Sequence, residues 1–257
     1  MIYKVDGNLR EKLYPIFKNM KDTMILSYLQ GHMGAAWVDD IENPTVAQIL
    51  VGVFVFYAGD PNAKAAEELL LNIPENILAI VNTDEWKNRI EIVHKGRIEK
   101  FQRYAFKKNY EYLKRDMMES FLSKLPEDYE LKRIDKSIAL ENSFQNLSED
   151  FTSQYESIED YINKGVGYCI LHNGQVVCGA SSYSVYNDGI EIEVDTHPDY
   201  RRKGLATIAS AALILDCIDK GKYPNWDAAN LDSVSLAEKL GYILEKSYDT
   251  YYISYER

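Results

Sequence analysis

The spacing of apolar and polar residues predicts alternating helices and strands through the first half of the chain. Apolar residues recur at helical spacing between Leu9 and Met20. Residues 45–57 form a run rich in β-branched and aromatic side chains, which predicts one long strand. The other elements predicted here are a turn over 58–62, a helix over 63–73, a strand over 77–81, a helix from Thr83 or Asp84 to about His94, a strand over 97–106 and a helix over 110–125.

The second half has a clearer order, with three consecutive strands followed by alternating helices and strands. Asn173-Gly174 lies between two apolar runs and predicts a hairpin, because both central residues of a type I′ turn need positive φ. Gly241 is expected to end the last helix. The predicted elements are a strand over 129–134, helical structure over 140–163, strands over 167–171, 176–185 and 190–196, a helix over 206–218, a strand over 225–228, a helix over 232–240 and one or two strands over 242–255. This order predicts an α/β fold with a mixed, mostly antiparallel central sheet flanked by helices.

Charge and pattern change together near residues 123–128, where a helix ends, Pro126 follows and an extended segment begins. Residues 1–125 hold 17 basic and 17 acidic side chains, so 12 of the 29 basic and 23 of the 40 acidic residues lie in 126–257. The whole acidic excess is therefore in the second half. We predict an N-terminal α/β domain over 1–125 and a second domain over 126–257.

The composition argues against several classes of protein. A net charge of −11 disfavours a nucleic-acid partner, which requires a basic surface, and an anionic membrane. The longest apolar run, residues 47–59, is shorter than the roughly 20 residues that cross a bilayer, and the N-terminus lacks the apolar core of a secretion signal. The three cysteines and four histidines lack metal-ligand spacing, so no metal site is expected. These features predict a reduced cytoplasmic protein.

A basic turn, Arg201-Arg202-Lys203-Gly204, interrupts the acidic half just before the helix predicted over 206–218. The first backbone N–H groups of a helix have no partner within it, and the helix dipole is positive at that end. Gly204 and Ala206 allow the backbone to approach a ligand closely. The turn therefore predicts a phosphate or pyrophosphate site, with a basic helix cap that binds no ligand as the alternative. The spacing fits neither GxxxxGK[ST] nor GxGxxG.

Two segments of the second half resemble motifs of the GNAT acetyltransferases. Arg201-x-x-Gly204-x-Ala206 resembles their acyl-CoA-binding signature, [QR]-x-x-G-x-[GA]. The segment from Asn230 to Tyr242 is similar to a second one, N-x-x-[AS]-x-x-L-x-x-K-L-G-[FY]. The resemblance covers roughly residues 126–257. It implies the GNAT acyl-CoA N-acyltransferase fold, acetyl-CoA as cofactor, and a bacterial subgroup with an extra N-terminal region.

The resemblance also implies how CoA is bound. Backbone N–H groups from Arg202 to Ala206 would hold the pyrophosphate, and the main chain around 194–196 would pair with the pantetheine arm like an added strand. Asn230 would hydrogen-bond the pantetheine region, whereas Trp226 is expected to pack in the core beside the cleft. The cofactor-binding residues implied are Val194, Thr196, Arg201, Arg202, Lys203, Gly204, Leu205, Ala206, Asn230 and Ser233.

Two carboxylates are candidates for the catalytic base. Acyl transfer to an amine requires removal of a proton from nitrogen, and many relatives keep a base on the strand before the CoA-binding turn. Glu191 and Glu193 lie there, and a spacing of two residues places them on one face of the strand together with Asp195. Three solvated carboxylates on an edge face are the alternative.

The candidate for the catalytic acid is less defined. In many relatives a tyrosine follows the leucine of the second motif and protonates the leaving thiolate, but here that position is Ala237. Tyr242, Tyr248 or a water molecule remain as substitutes. The expected function is an acetyl-CoA-dependent N-acetyltransferase acting on the amine of a small cationic acceptor, since the second half is acidic. The alternative is a catalytically inactive acyl-CoA-binding sensor or scaffold.

The first half lacks an Arg-x-x-Gly-x-Gly/Ala motif. Its predicted strand over 45–57, turn over 58–62 and helix over 63–73 nevertheless imitate the strand–turn–helix unit of the second half. Two hypotheses follow for residues 1–125. They form either a degenerate GNAT-like lobe that helps to complete the acceptor site, or a structural or homodimerising domain.

Overall fold

The computed structural model describes residues 1–255, which form two compact units. The first unit comprises Met1–Arg103 and the C-terminal residues from Tyr248, and the second comprises Tyr104–Ser247. The division differs from the predicted one at 125/126 for two reasons. The helix Arg115–Leu122 packs against the helix Leu205–Asp219 within the second unit, and the final strand pairs with Asn76–Ala79 in the first.

The first unit is built on a sheet covered by short helices. The elements are β1 (Tyr3–Lys4), a 3₁₀ helix (Gly7–Leu13), α1 (Tyr14–Phe17), α2 (Thr23–Leu29), β2 (Ala35–Val38), β3 (Val46–Val51), β4 (Phe54–Gly59), α3 (Ala66–Leu71), β5 (Asn76–Ile80), α4 (Asp84–Val93), β6 (Ile98–Phe106) and, near the end of the chain, β13 (Leu244–Ser254). The residues of β6 from Tyr104 and those of β13 up to Ser247 belong to the second unit. The strands follow the order β1-β2-β3-β4-β5-β13-β6, in which β4 and β5 are parallel and β1–β2, β2–β3, β3–β4 and β5–β13 are antiparallel.

The run over 45–57 is a hairpin and not the single strand predicted. Strands β3 and β4 pair from Val46↔Gly59 to Val51↔Phe54, with Gly52 and Val53 in the turn. Gly52 has φ 56°, a conformation that glycine adopts without steric cost and that reverses the chain inside an otherwise apolar run. Both strands are buried, so alternation of apolar and polar residues could not reveal the turn.

Aromatic stacking anchors the core of the first unit. Tyr57 of β4 and Trp86 of α4 are buried and stack with ring centroids 5.5 Å apart. The Trp86 indole N–H donates to the Gly59 carbonyl at 3.0 Å, so the buried polar group is satisfied. Helix α4 begins where the sequence predicts, because the Thr83 hydroxyl accepts from the Trp86 backbone N–H.

The second unit contains the three-strand segment and the helix–strand alternation predicted for it. Its elements after β6 are a 3₁₀ helix (Tyr110–Tyr112), α5 (Arg115–Leu122), β7 (Tyr129–Arg133), α6 (Lys136–Ala139), α7 (Asn142–Leu147), a 3₁₀ helix (Glu149–Phe151), α8 (Ile158–Lys164), β8 (Gly167–His172), β9 (Gln175–Tyr186), β10 (Gly189–Thr196), a 3₁₀ helix (Pro198–Tyr200), α9 (Leu205–Asp219), β11 (Tyr223–Asn225), β12 (Asp227–Ala228) and α10 (Leu231–Lys239).

A five-stranded sheet in the order β11-β10-β9-β8-β7 forms the centre of this unit. The pairs β7–β8, β8–β9 and β9–β10 are antiparallel, and β10–β11 is parallel. Strand β9 is buried at every position from Val176 to Tyr186, because α9 packs on it and α7 and the Glu149–Phe151 turn contact it as well. The mixed α/β fold with a largely antiparallel sheet and flanking helices is therefore confirmed.

Local signals place the ends of several elements correctly. Asn173 and Gly174 have φ of 53° and 75°, as the hairpin prediction requires. Gly241 has φ 97° and follows the end of α10, where the Tyr112 carbonyl lies 2.5 Å from any added Cβ. A side chain at 241 would collide with that carbonyl, so only glycine fits.

Candidate functional site

The turn between β10 and α9 has the backbone of an anion-binding site. Arg202 and Gly204 both adopt left-handed conformations, with φ of 64° and 82°. Gly204 is the N-cap of α9 and, within the described residues, no side chain caps this 15-residue helix. The first N–H groups of α9 therefore have no side-chain cap from residues 1–255, and they lie at the positive end of the helix dipole, where an anion is stabilised.

Open space lies above Gly204. A Cβ built on this residue meets nothing within 4 Å among the described residues, so the turn leaves room for a ligand against the backbone. The left-handed φ of Arg202 is uncommon for a residue with a side chain, and such conformations concentrate at ligand-binding turns. The turn thus has both the open space and the uncapped helix N-terminus that a pyrophosphate requires.

The three basic side chains of the turn have different surroundings. The Arg201 Nε donates to the Thr196 carbonyl at 3.0 Å, which fixes the turn to the end of β10. The Arg202 guanidinium is 88% exposed and lies 3.8 Å from the Asp232 carboxylate in the first turn of α10. The Lys203 ammonium lies 5.0 Å from the centre of the Tyr200 ring. Arg202 is therefore the more exposed of the two arginines.

The N-terminus of α10 lies beside this turn and is capped by Asn230. The Asn230 Oδ1 accepts from the Ser233 backbone N–H at 2.9 Å. The Ser233 hydroxyl accepts from the Trp226 indole N–H at 3.1 Å. Trp226 is 4% exposed, which confirms its predicted place in the core. Asn230 keeps its Nδ2 for other partners, whereas the Ser233 hydroxyl is already engaged.

Strands β10 and β11 separate next to the turn. Their pairing runs from Gly189↔Tyr223 to Glu191↔Asn225, after which β10 continues to Thr196 while the chain of β11 passes into β12. Strand β12 pairs with Tyr104 and Ala105 of β6 and not with β10. Among residues 1–255, no strand pairs with the stretch of β10 from 192 to 196 on that side, and its edge can accept an extended ligand.

The carboxylates of β10 differ in burial and in partners. Glu191 is 5% exposed, and Glu193 and Asp195 are half-buried. Glu193 pairs with Ser181 of β9, whose hydroxyl donates to the Phe151 carbonyl, so Glu193 shares the face that the Glu149–Phe151 turn covers. The Asp195 carboxylate accepts a hydrogen bond from the Thr196 backbone N–H at 2.6 Å, and so stabilises the chain where β10 leads into the turn.

Two further residues lie near these carboxylates, and the sequence did not predict them. Asn225 donates its Nδ2 to the Glu191 Oε2 at 2.6 Å, across the last paired position of β10 and β11. Asp150 lies beside Asp195, and burial raises the pKa of its carboxyl, with Glu149 and Asp195 adding to the effect. Neither residue belongs to a motif, and only the strand register and the fold of 149–151 bring them to the carboxylates.

The candidates for the catalytic acid are constrained differently. Ala237 is fully buried on α10. The Tyr242 hydroxyl donates to the Pro224 carbonyl at 2.6 Å, and burial raises its pKa well above the ordinary value. Tyr248 belongs to the first unit. The Tyr242 hydroxyl proton is thus held by the main-chain carbonyl of Pro224.

Across residues 1–255 no group of three or more His, Cys, Asp and Glu side chains could hold a metal ion. In the same part of the chain, none of the helices has the length and apolar character needed to cross a membrane.

Comparisons with known proteins agree with this geometry. Residues 14–251 match the family model described as GNAT acetyltransferase, so the family extends well beyond the 126–257 that the motifs suggest. A crystal structure of a GCN5-related N-acetyltransferase-like protein from Streptococcus suis 89/1591 is 38% identical, with a TM-score of 0.86 over 95% of this chain and 98% of that one.

Two further relatives support the assignment at different levels. An uncharacterized N-acetyltransferase of Bacillus subtilis (strain 168), YdfB, is 27% identical over 95% of this chain and 97% of its own length. A tandem GNAT protein from the clavulanic acid biosynthesis pathway is 11% identical with a TM-score of 0.57 over 98% of both chains, which shows the shared fold alone. A separate extra N-terminal domain is not confirmed, since the family match begins at residue 14. By the family match and the relative from S. suis, this chain belongs to the GNAT acetyltransferase family and is an N-acetyltransferase.

Proposed function

We propose that the protein transfers the acetyl group of acetyl-CoA to the amine of a small cationic acceptor. The observation that carries the proposal is the turn 201–206, where left-handed Arg202 and Gly204 expose the uncapped N-terminus of α9 beside open space. Within a GNAT N-acetyltransferase, a diphosphate with a thioester arm fits this turn and the free edge of β10.

Each part of CoA would be bound by a different set of residues. The backbone N–H groups from Arg202 to Ala206 would bind the pyrophosphate, with charge from Arg201, Arg202 and Lys203. The main chain at Val194 and Thr196 would pair with the pantetheine arm, and Asn230 would donate its Nδ2 to it. When bound, acetyl-CoA supplies an acetyl thioester whose carbonyl carbon is open to attack by an amine.

The carboxylates argue for an amine acceptor. Glu193 and Asp195 lie on the face of the sheet that the Glu149–Phe151 turn covers, and Asp150 of that turn lies near Asp195, so an acceptor there meets negative charge. A carboxylate on β10, Glu193 or Glu191, is the proton acceptor for the amine. Desolvated carboxylates favour a cation over a neutral acceptor of the same size.

Binding of CoA tests the cofactor site. Gly204→Leu is expected to weaken CoA binding about 100-fold or more in calorimetry, because a side chain fills the space where backbone donors meet the phosphates. Gly174→Leu is the matched control, since Gly174 also has positive φ and open space but lies in the β8–β9 hairpin. Both variants bear the same kind of backbone strain, and only the first should lose CoA. Equal affinities in the two variants would contradict the site.

Turnover tests the reaction. Release of CoA thiol in the presence of a panel of amines, diamines and neutral isosteres should be fastest with cationic amines. The protein's own cysteines do not interfere, because Cys169, Cys178 and Cys217 are buried and burial raises the pKa of each thiol to about 12. CoA binding without turnover across the panel would favour an acyl-CoA-binding sensor instead.

A further inference from the structure

The last paired position of β10 and β11 holds two polar residues in an otherwise apolar setting. Glu191 and Asn225 face each other directly in the parallel register and are 5% and 8% exposed. Beyond them the strands separate, so the pair lies at the closed end of the gap whose open end is formed by the turn 201–206. A buried carboxylate and a buried amide at this point require a reason, because burial of each costs free energy unless it is hydrogen-bonded.

A short hydrogen bond joins the two side chains. The Asn225 Nδ2 donates to the Glu191 Oε2 at 2.6 Å. An amide does not titrate between pH 4 and 10, so its N–H group favours the ionised carboxylate at every pH of interest. The bond also fixes the rotation of the carboxylate, and this determines the position of its other oxygen, Oε1.

Tyrosines surround Glu191 on the neighbouring elements. Tyr186 of β9, Tyr223 of β11 and Tyr242 after α10 lie within electrostatic range of its carboxylate. Burial raises the pKa of Tyr223 to about 12 and shifts those of Tyr186 and Tyr242 upward as well.

Other titratable groups border these tyrosines. Asp188 in the β9–β10 turn lies near Tyr186, and Cys217 of α9 lies near Tyr242. The three tyrosines are neutral at physiological pH because their hydroxyls keep their protons, and burial raises the pKa of the Cys217 thiol to about 12. The Asn225 amide is a hydrogen-bond donor to Glu191, and its protonation does not change with pH.

We propose that Asn225 is a positioning residue that holds the ionised Glu191 carboxylate at the closed end of the gap, so that Glu191 accepts the proton of the acceptor amine. The inference rests on the proposed function. Glu191 receives the proton that the acceptor nitrogen loses as its lone pair forms the N–C bond to the acetyl carbon and the C–S bond breaks, with that electron pair passing to the CoA sulfur. Glu193, which is more exposed than Glu191, then stabilises the positive charge of the acceptor.

The titration of Glu191 tests the positioning directly and needs no acceptor. Carbon-13 labelling of glutamate carboxyls allows NMR titration, and Glu191→Gln assigns the signal. Asn225→Leu, which has similar volume and no donor, should raise the midpoint by about one pH unit. Asn225→Asp should raise it further, because two carboxylates then share the site. Asn225→Ser keeps a donor and should restore most of the effect.

The rate profile tests the consequence. With an amine that the wild type acetylates, the acidic limb of kcat/KM against pH should move upward by the same amount in Asn225→Leu, with KM for acetyl-CoA unchanged. Glu191→Gln should remove the limb, whereas Glu193→Gln, which removes a neighbouring like charge and not the proton acceptor, should retain a limb. Asn88→Leu, an exposed position on α4, is the control for an Asn-to-Leu change.

The outcomes separate the two proposals. Turnover with an unmoved limb, or an unmoved Glu191 midpoint in a folded Asn225→Leu protein, overturns the role of Asn225 while leaving acetyl transfer intact. CoA binding without turnover by the wild type overturns the proposed function and with it the proton-accepting role of Glu191. Circular dichroism and CoA affinity establish that each variant is folded. If the Asn225→Leu protein is not folded, the comparison uses Asn225→Ser and Asn225→Asp in its place.

Discussion

Asn230 combines a structural and a ligand-binding role in one side chain, and two substitutions separate them. Its Oδ1 caps α10 by accepting from the Ser233 N–H, and its Nδ2 is the group proposed to reach the pantetheine arm. Asn230→Asp keeps the cap and should preserve the thermal stability, yet should weaken CoA binding about 5- to 10-fold through loss of the donor. Asn230→Ala should lose both, with about 1 kcal/mol of stability. Calorimetry and thermal unfolding measure the two effects.

The matched control for this residue is Thr83, the N-cap of α4 in the first unit. Thr83→Ala should cost a similar free energy of unfolding without changing the affinity for CoA. If Asn230→Asp bound CoA as tightly as the wild type, Asn230 would be a helix cap and nothing more.

At the scale of elements, the free edge of β10 is the feature that the cofactor should change. Residues 192–196 lie past the last pair with β11, so the outward amides there exchange with solvent unless a ligand bonds to them, apart from that of Thr196, which already donates to the Asp195 carboxylate. Saturating acetyl-CoA should slow hydrogen exchange about 10-fold or more in a peptide covering 192–200. The β7 peptide 129–133, at the opposite edge of the same sheet, should be unchanged. Equal protection of both peptides would indicate global stabilisation without strand-like pairing.

Local chemistry explains which elements the sequence could predict. The Asn173-Gly174 hairpin, the Thr83 cap, the stop at Gly241 and the strand-to-helix turn at Gly204 all depend on a few adjacent residues. The turn motif predicted the anion site because its backbone donors lie within six consecutive positions. The CoA-binding and catalytic roles of these residues stay predictions.

Pairing between distant segments explains what the sequence missed. The hairpin inside 45–57 is hidden because both of its strands are buried, and β13 joins the first unit through a pairing with β5 that no local pattern encodes. Asn225 is adjacent to Trp226, whose place in the core could be predicted, but the importance of Asn225 depends on the register that places it opposite Glu191. A residue that acts through its neighbour across a sheet leaves no mark in its own flanking sequence.

At the scale of the whole molecule, buried tyrosines should determine how the protein responds to alkaline pH. The chain has 20 tyrosines, and burial raises the pKa of Tyr57 in the first unit and of Tyr155, Tyr161 and Tyr242 in the second. A phenol that ionises near pH 10 when unfolded and higher when folded binds more protons in the folded state. The stability it contributes is complete below pH 10 and is lost as pH rises above that value.

Urea unfolding between pH 8 and pH 11 measures this loss. Each such tyrosine removes up to about 1.4 kcal/mol per pH unit above 10, so the free energy of unfolding should fall steeply there. Tyr161→Phe should lower stability at pH 8, because its hydroxyl bonds to the Ser181 hydroxyl at 2.9 Å, but should make the alkaline slope shallower. Tyr3→Phe, at an exposed site, should change neither. A Tyr161→Phe slope equal to that of the wild type would assign the alkaline loss to other groups. Because the buried phenols keep their protons below pH 10, the alkaline assays suited to amine acetylation should find the fold at full stability.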